Sequence, residues 1–155
     1  MNASIKLNFN HPVKELVWVV QQDAFTSTSS SNQWFNYTNS GTIGDASATN
    51  LVSTAKLQLN GHDRFAQRAG DYFNLVQPYQ HHENVPTSVG INVYSFALKP
   101  EEHQPSGTLN FSRIDSAVLK LGYVSGILAG KCRVYAVNYN VLRVMSGMGG
   151  LAYSN

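Results

Sequence analysis

A chain of 155 residues with a single cysteine and a net charge of +2 excludes several classes at once. A disulfide framework or a cysteine zinc site needs more thiols. Binding to a phosphate backbone needs clustered cations, which 11 basic against 9 acidic side chains do not supply.

The length suits one domain, hiding roughly 70% of its extended surface on folding. Charged residues are 13% of the chain, well below the roughly 25% of an average domain. The surface is therefore wetted by Asn, Gln, Ser and Thr, or covered by neighbours. No apolar run reaches the roughly 20 residues of a membrane span. The opening "MNASIKLNFN" lacks the apolar region of a signal peptide, which predicts a soluble, non-secreted chain.

The hydrophobic period is two almost throughout. "SIKLNFN" places Ile5, Leu7 and Phe9 on one face, as in a half-buried strand. His11-Pro12 interrupts. "VKELVWVVQQ" is apolar at both parities from Leu16 to Val20, which predicts a central strand covered on both faces. Residues 23–50 are rich in Ser, Thr, Asn and Gly and read as a long surface loop, with a short strand or anchor at Trp34 to Tyr37. In "LVSTAKLQLNGHDRF", Leu51, Ser53, Ala55, Leu57 and Leu59 share a face, and Asn60-Gly61 supplies the positive φ angles of a tight turn.

Phe65, Ala69, Phe73 and Val76 recur at helical spacing and predict one or two turns ended by Pro78. Further strands are predicted at "GINVYSFAL", "GTLNFSRI", "AVLKLGY" and the long "KCRVYAVNYNVLRVM". The tail "SGMGGLAYSN" carries Gly147, Gly149 and Gly150 before a short apolar tip with Leu151 and Tyr153. Glycine there permits a bend or a close backbone approach. Seven or eight strands with irregular connections and almost no helix predict an all-β fold, a jelly-roll β-sandwich, in a single domain over residues 1–155.

Residues with chemical potential are few and read better as structure. His81, His82 and Glu83 are adjacent, and neighbours on a strand point to opposite faces, so the two imidazoles chelate together only in a loop. Asp63, two residues past the Asn-Gly turn and next to Arg64, reads as a turn carboxylate bonding backbone amides or pairing with arginine; with His62 and Asp71 it makes a weak acid/base set. Cys132, between Lys131 and Arg133, reads as an inert, partly buried thiol. Asn2-Ala3-Ser4, Asn36-Tyr37-Thr38 and Asn110-Phe111-Ser112 fit the glycosylation sequon and read as chance matches in an Asn/Ser-rich chain. Neither a nucleophile elbow nor a phosphate loop is present in the sequence, and no catalytic residue, cofactor or metal ligand is expected.

"LNFNHPVKELVWVVQ", "AKLQLNGHDRF", "YFNLVQPYQHH", "GTLNFSRIDSAVLKL" and "YAVNYNVLRVMSGMGGLAYSN", in that order, resemble the C-terminal part of the major capsid proteins of large icosahedral double-stranded DNA viruses. That group includes iridoviruses, chloroviruses, marseilleviruses, mimiviruses and African swine fever virus. The resemblance implies a structural protein with a double jelly-roll subunit that forms homotrimeric, pseudo-hexagonal capsomers. These tile the virion shell against neighbouring capsomers and minor capsid proteins, after assembly in the host cytoplasm. It implies no direct nucleic-acid binding.

The chain is about one roll long where the family carries two, so it is expected to hold most of the second. Two structural sites follow. Asn60, Gly61, Asp63, Arg64 and Phe65 are expected to form a corner, in which Asn60-Gly61 turns the chain, Asp63 and Arg64 lock it or a neighbour, and Phe65 plugs the core. The tail, through Gly147, Gly149, Gly150, Leu151 and Tyr153, is expected to close the roll or dock on a neighbouring subunit. Two further readings compete: a glycan- or receptor-binding jelly-roll module with residues 23–50 as its recognition loop, and a cupin-like metal enzyme.

Overall fold

The computed structural model describes residues 1–26 and 32–153; residues 27–31 of the long loop and 154–155 of the tail lie outside the described residues. The strands are β1 (Asn2–Leu7), β2 (Pro12–Gln22), β3 (Val52–Leu59), β4 (His62–Asp63), β5 (Arg68–Ala69), β6 (Ile91–Ser95), β7 (Leu109–Asn110), β8 (Ala117–Tyr123), β9 (Gly130–Asn138), β10 (Leu142–Met145) and β11 (Met148–Leu151). One sheet runs β1-β8-β3, with the short β4 and β5 on the far side of β3. In the other, β2 pairs with β6 and β7 along one edge and with β9 along its length. All pairings are antiparallel.

The two sheets enclose one core. Leu7, Ala55, Leu57, Leu119 and Leu121 come from the first, and Val13, Leu16, Trp18, Val20 and Tyr94 from the second. In β1 the predicted alternation holds, with Asn2, Ser4 and Lys6 exposed and Leu7 buried. In β2 a register shift between Val13 and Glu15 resets the parity, so that Val13, Leu16, Trp18 and Val20 all join the core. Glu15, Val19 and Gln21 take the opposite face and are also buried. Strand β3 has a similar irregularity between Val52 and Thr54. It buries Val52 and exposes Ser53, so Ser53 does not share a face with Ala55 and Leu57 as strict alternation predicts.

Three other expectations are corrected. Helical turns do form, as a π-helical turn (Tyr72–Val76) running into the helix α1 (Gln77–His81). Pro78 lies in the first turn of that helix, where proline is accommodated, and the helical run goes on past it to His81. The predicted strand over residues 107–114 shrinks to β7, and Phe111–Arg113 coil into a 3₁₀ turn whose first free amide, Ser112 N–H, donates to the Asn110 side chain at 3.1 Å. The single long strand over 131–145 breaks after Asn138 into β9 and β10. Around Trp34 the described residues form no strand, and the segment is an anchor instead: Gln21 donates to the Trp34 carbonyl and an isolated bridge joins Thr38 to Asn50.

Candidate functional site

The Asn60-Gly61 pair closes the β3–β4 hairpin, with φ of 50° and 83°. The Asn60 side-chain oxygen accepts from the amides of Asp115 and Ser116 at 3.0 Å each, and its own amide donates to Ser116 O at 2.7 Å. The turn is thereby tied to the start of β8. Asp63 takes its partners from β3: the Lys56 ammonium at 2.9 Å and the Gln58 amide at 2.7 Å. These bonds hold its carboxyl below the usual range. Neither partner is Arg64, whose amide donates to Leu57 O. Phe65 is half-buried against the core, its ring 4.6 Å from that of Tyr94 and 5.4 Å from that of Phe73.

A Cβ at position 61 would meet nothing within 4 Å, so the constraint there is the positive φ alone. Gly61→Val is accordingly expected to cost about 1–2 kcal/mol. Urea denaturation of the purified chain checks this, and an unchanged midpoint would remove the turn's demand for glycine.

The tail forms a hairpin in which Leu142 opposes Leu151, Val144 opposes Gly149 and Met145 opposes Met148. Ser146 and Gly147 supply positive φ angles of 51° and 77°, the requirement of a two-residue turn of mirror-image type. Its base is fastened where the Asn140 side chain bonds both the N–H and the carbonyl of Tyr153, and the Tyr153 ring meets His11 edge-on at 5.3 Å. Beyond that base, Leu142, Val144, Met145, Met148 and Leu151 are each 63–74% exposed. Directly opposed residues share a face, so one open face of this ribbon carries Leu142, Val144 and Leu151 and the other carries Met145 and Met148 beside Arg143. An isolated two-stranded hairpin is marginal in water and needs a further layer.

Strand β9, which leads into this hairpin, pairs only with β2 among the described residues. Cys132, Val134 and Ala136 lean on the core cluster but are only half-buried, and Tyr135 and Val137 are exposed on the other face. The apolar content of the C-terminal segment is thus displayed at a sheet edge and on an uncovered ribbon. Burial pushes the Cys132 thiol from 9.0 up to about 11. Because the folded value is raised, this thiol favours the fold below pH 9 and loses that contribution as pH climbs through about 11. Native protein is therefore expected to alkylate slowly below pH 9 and rapidly once unfolded in denaturant. Equal rates in the two states would contradict this.

The remaining candidates are structural. His82 Nε2 lies 2.7 Å from Glu15 Oε2, with Glu101 4.0 Å from Nδ1. His81 Nδ1 is 3.0 Å from the Leu98 carbonyl. The two imidazoles are thus engaged separately. Sequence reading missed the His82–Glu15 pair because its members are 67 positions apart; a lone glutamate in the apolar run of β2 was the available signal.

The description "large eukaryotic DNA virus major capsid protein" matches residues 1–150. The chain belongs to this capsid protein family. It is 52% identical to the major capsid protein of Pyramimonas orientalis virus, over 99% of this chain and 39% of that one. To the major capsid protein of Paramecium bursaria Chlorella virus 1 it is 42% identical, over 99% of this chain and 44% of the other. The solved PBCV-1 virus capsid aligns with all of the chain and 46% of its own, at 41% identity and a TM-score of 0.78.

The chain therefore spans less than half the length of these relatives. Its all-β fold is the jelly roll of this capsid family, whose members are structural proteins and not enzymes. These matches do not favour a free-standing glycan- or receptor-binding module. They place the chain's family in the virion shell.

Proposed function

We propose that residues 1–155 form most of one jelly roll of a longer capsid subunit, and that the subunit assembles as a homotrimer into a pseudo-hexagonal capsomer. In the shell it contacts neighbouring capsomers and minor capsid proteins, after assembly in the host cytoplasm. The observation that carries this reading is the β10–β11 hairpin, with apolar side chains exposed on both faces and continuous with an edge of β9 that pairs with nothing among the described residues. Large exposed apolar patches mark association surfaces, and exposed strand edges invite pairing. The low charge of the chain agrees, since interface cores are depleted of charge. Threefold symmetry would repeat each such patch around the axis.

In this reading Asn60, Gly61, Asp63, Arg64 and Phe65 hold a corner of the frame, and Gly147, Gly149, Gly150, Leu151 and Tyr153 belong to the contact surface. Light scattering on a sizing column tests it, with the chain expressed alone and within its full-length coding region. Full-length subunits should elute at the mass of a trimer, and deletion of residues 147–155 should reduce them to monomers. A folded monomer in every case, or trimers that survive the deletion, would overturn the assignment.

A further inference from the structure

We propose that the cavity under the β2–β3 loop is a binding site for a short neutral oligosaccharide. The cavity has a volume of about 620 Å³, inside the roughly 300–1,000 Å³ of small-ligand sites. Trp34, Phe35 and Ile43 line it and are 51%, 84% and 77% exposed. Three large apolar side chains at one spot in an otherwise Ser/Thr/Asn-rich segment leave apolar surface that solvation alone does not explain.

The described part of the loop has almost no core of its own, yet it is fastened throughout. Gln21 and Gln22 at the end of β2 donate to the carbonyls of Trp34 at 2.5 Å and Thr38 at 3.2 Å. Asn36 donates to the Gln33 side chain and to the Ser40 carbonyl, and accepts from Thr38. Thr49 N–H donates to Asn39, and Thr38 bridges to Asn50. A rim held in place before a ligand arrives loses little ordering entropy when it binds.

Charge selects the ligand class. Among the described residues no Lys, Arg or His lines the cavity, so an anionic ligand finds no counter-charge there. Its one charged group, Asp45, already accepts from the hydroxyls of Ser40 and Ser47 and the Ser47 amide, which hold its pKa at about 2. A neutral sugar offers what the remaining lining matches. Its axial C–H face stacks on an exposed indole or phenyl ring, and its ring hydroxyls pair with the side chains of Asn32, Thr42, Thr87 and Ser88, which line the same cavity.

The chain has two tryptophans, and Trp18 is 1% exposed, so a sugar-dependent change in indole emission reports Trp34. The full chain is titrated with maltotriose, cellotriose and N-acetylated chitotriose as probes, followed by tryptophan emission and saturation-transfer NMR. At least one probe should shift the emission at millimolar concentration. Trp34→Ala and Phe35→Ala should weaken binding about tenfold or more while leaving the thermal midpoint in place, because both side chains are exposed. Silence with all three probes would overturn the proposal, as would binding that survives both substitutions or tighter binding of a sulfated oligosaccharide. An emission change that accompanies trimer assembly and no sugar would make the rim a subunit contact instead, and the proposal would fail. Because this readout needs no assembly, its failure leaves the capsomer reading standing.

Discussion

Trp18→Ala is expected to remove about 3–5 kcal/mol of stability, out of the roughly 5–15 kcal/mol that holds a domain together. Trp18 is centred on β2, opposite Asn92 of β6 on one side and Val134 of β9 on the other. It is 1% exposed, and its ring lies 5.2 Å from that of Phe73, which is wholly buried. Phe73 in turn meets Phe65 and Tyr72, so one indole joins the second sheet to the π-helical turn and to the segment after the corner. Truncation leaves a void that these stiff rings cannot fill, and the cost is the lost transfer energy plus that of the cavity. Urea denaturation followed by circular dichroism measures it. A loss below about 1 kcal/mol would mean that this ring cluster is not the centre of the fold.

The second large effect is expected at His82. Its side chain and that of Glu15 are 12% and 10% exposed, and the contact between them is 2.7 Å. His82→Leu leaves the Glu15 carboxylate in the sheet without that partner. Leaving a nearly buried carboxyl without its hydrogen-bond partner costs about 1–3 kcal/mol. Replacing both residues by leucine should recover most of the loss, since no unpartnered polar group then remains. A double-mutant cycle reads the coupling directly. Additive losses would show that the two side chains act independently, and that the segment after α1 is held on β2 by other contacts.

How much of this was legible in the sequence varies with the physics of each element. β1 and β8 announced themselves through period-two alternation, because each has one face on the core. β2 was legible as a doubly covered strand, but its bulge was not, because a register shift is decided by the partner strands. Pro78 misled because proline both ends and begins helices, and only the preceding turn distinguishes the two. The break between β9 and β10 was masked by the strand-forming Val, Tyr and Leu residues on either side of it, although Asn138 and Asn140 mark the place. It arises where Asn140 turns its side chain onto Tyr153, a contact across 13 positions. Of the tail's glycines Gly147 sits in the turn, while Gly149 and Gly150 lie within β11, and no periodicity could reveal that the hairpin is exposed along its length. The loop cavity was invisible for a related reason: its rim is brought together by polar bonds, and these leave no hydrophobic pattern.

The topology also dictates an order of events during synthesis. Leu7 of β1 pairs with Ala117 of β8, and Gln22 of β2 pairs with Gly130 of β9. Each sheet thus waits for a strand made long after its first one. A ribosome must finish most of the chain before either sheet can close, so the early strands pass through a period with their apolar faces and hydrogen-bonding edges unprotected. Such non-local pairing is slow, because the entropy of closing a long loop is lost before any contact rewards it. Folding of these residues should therefore be slow to begin and prone to aggregation at high expression. The yield of soluble chain should respond to temperature and to chaperone supply more than to any single surface substitution.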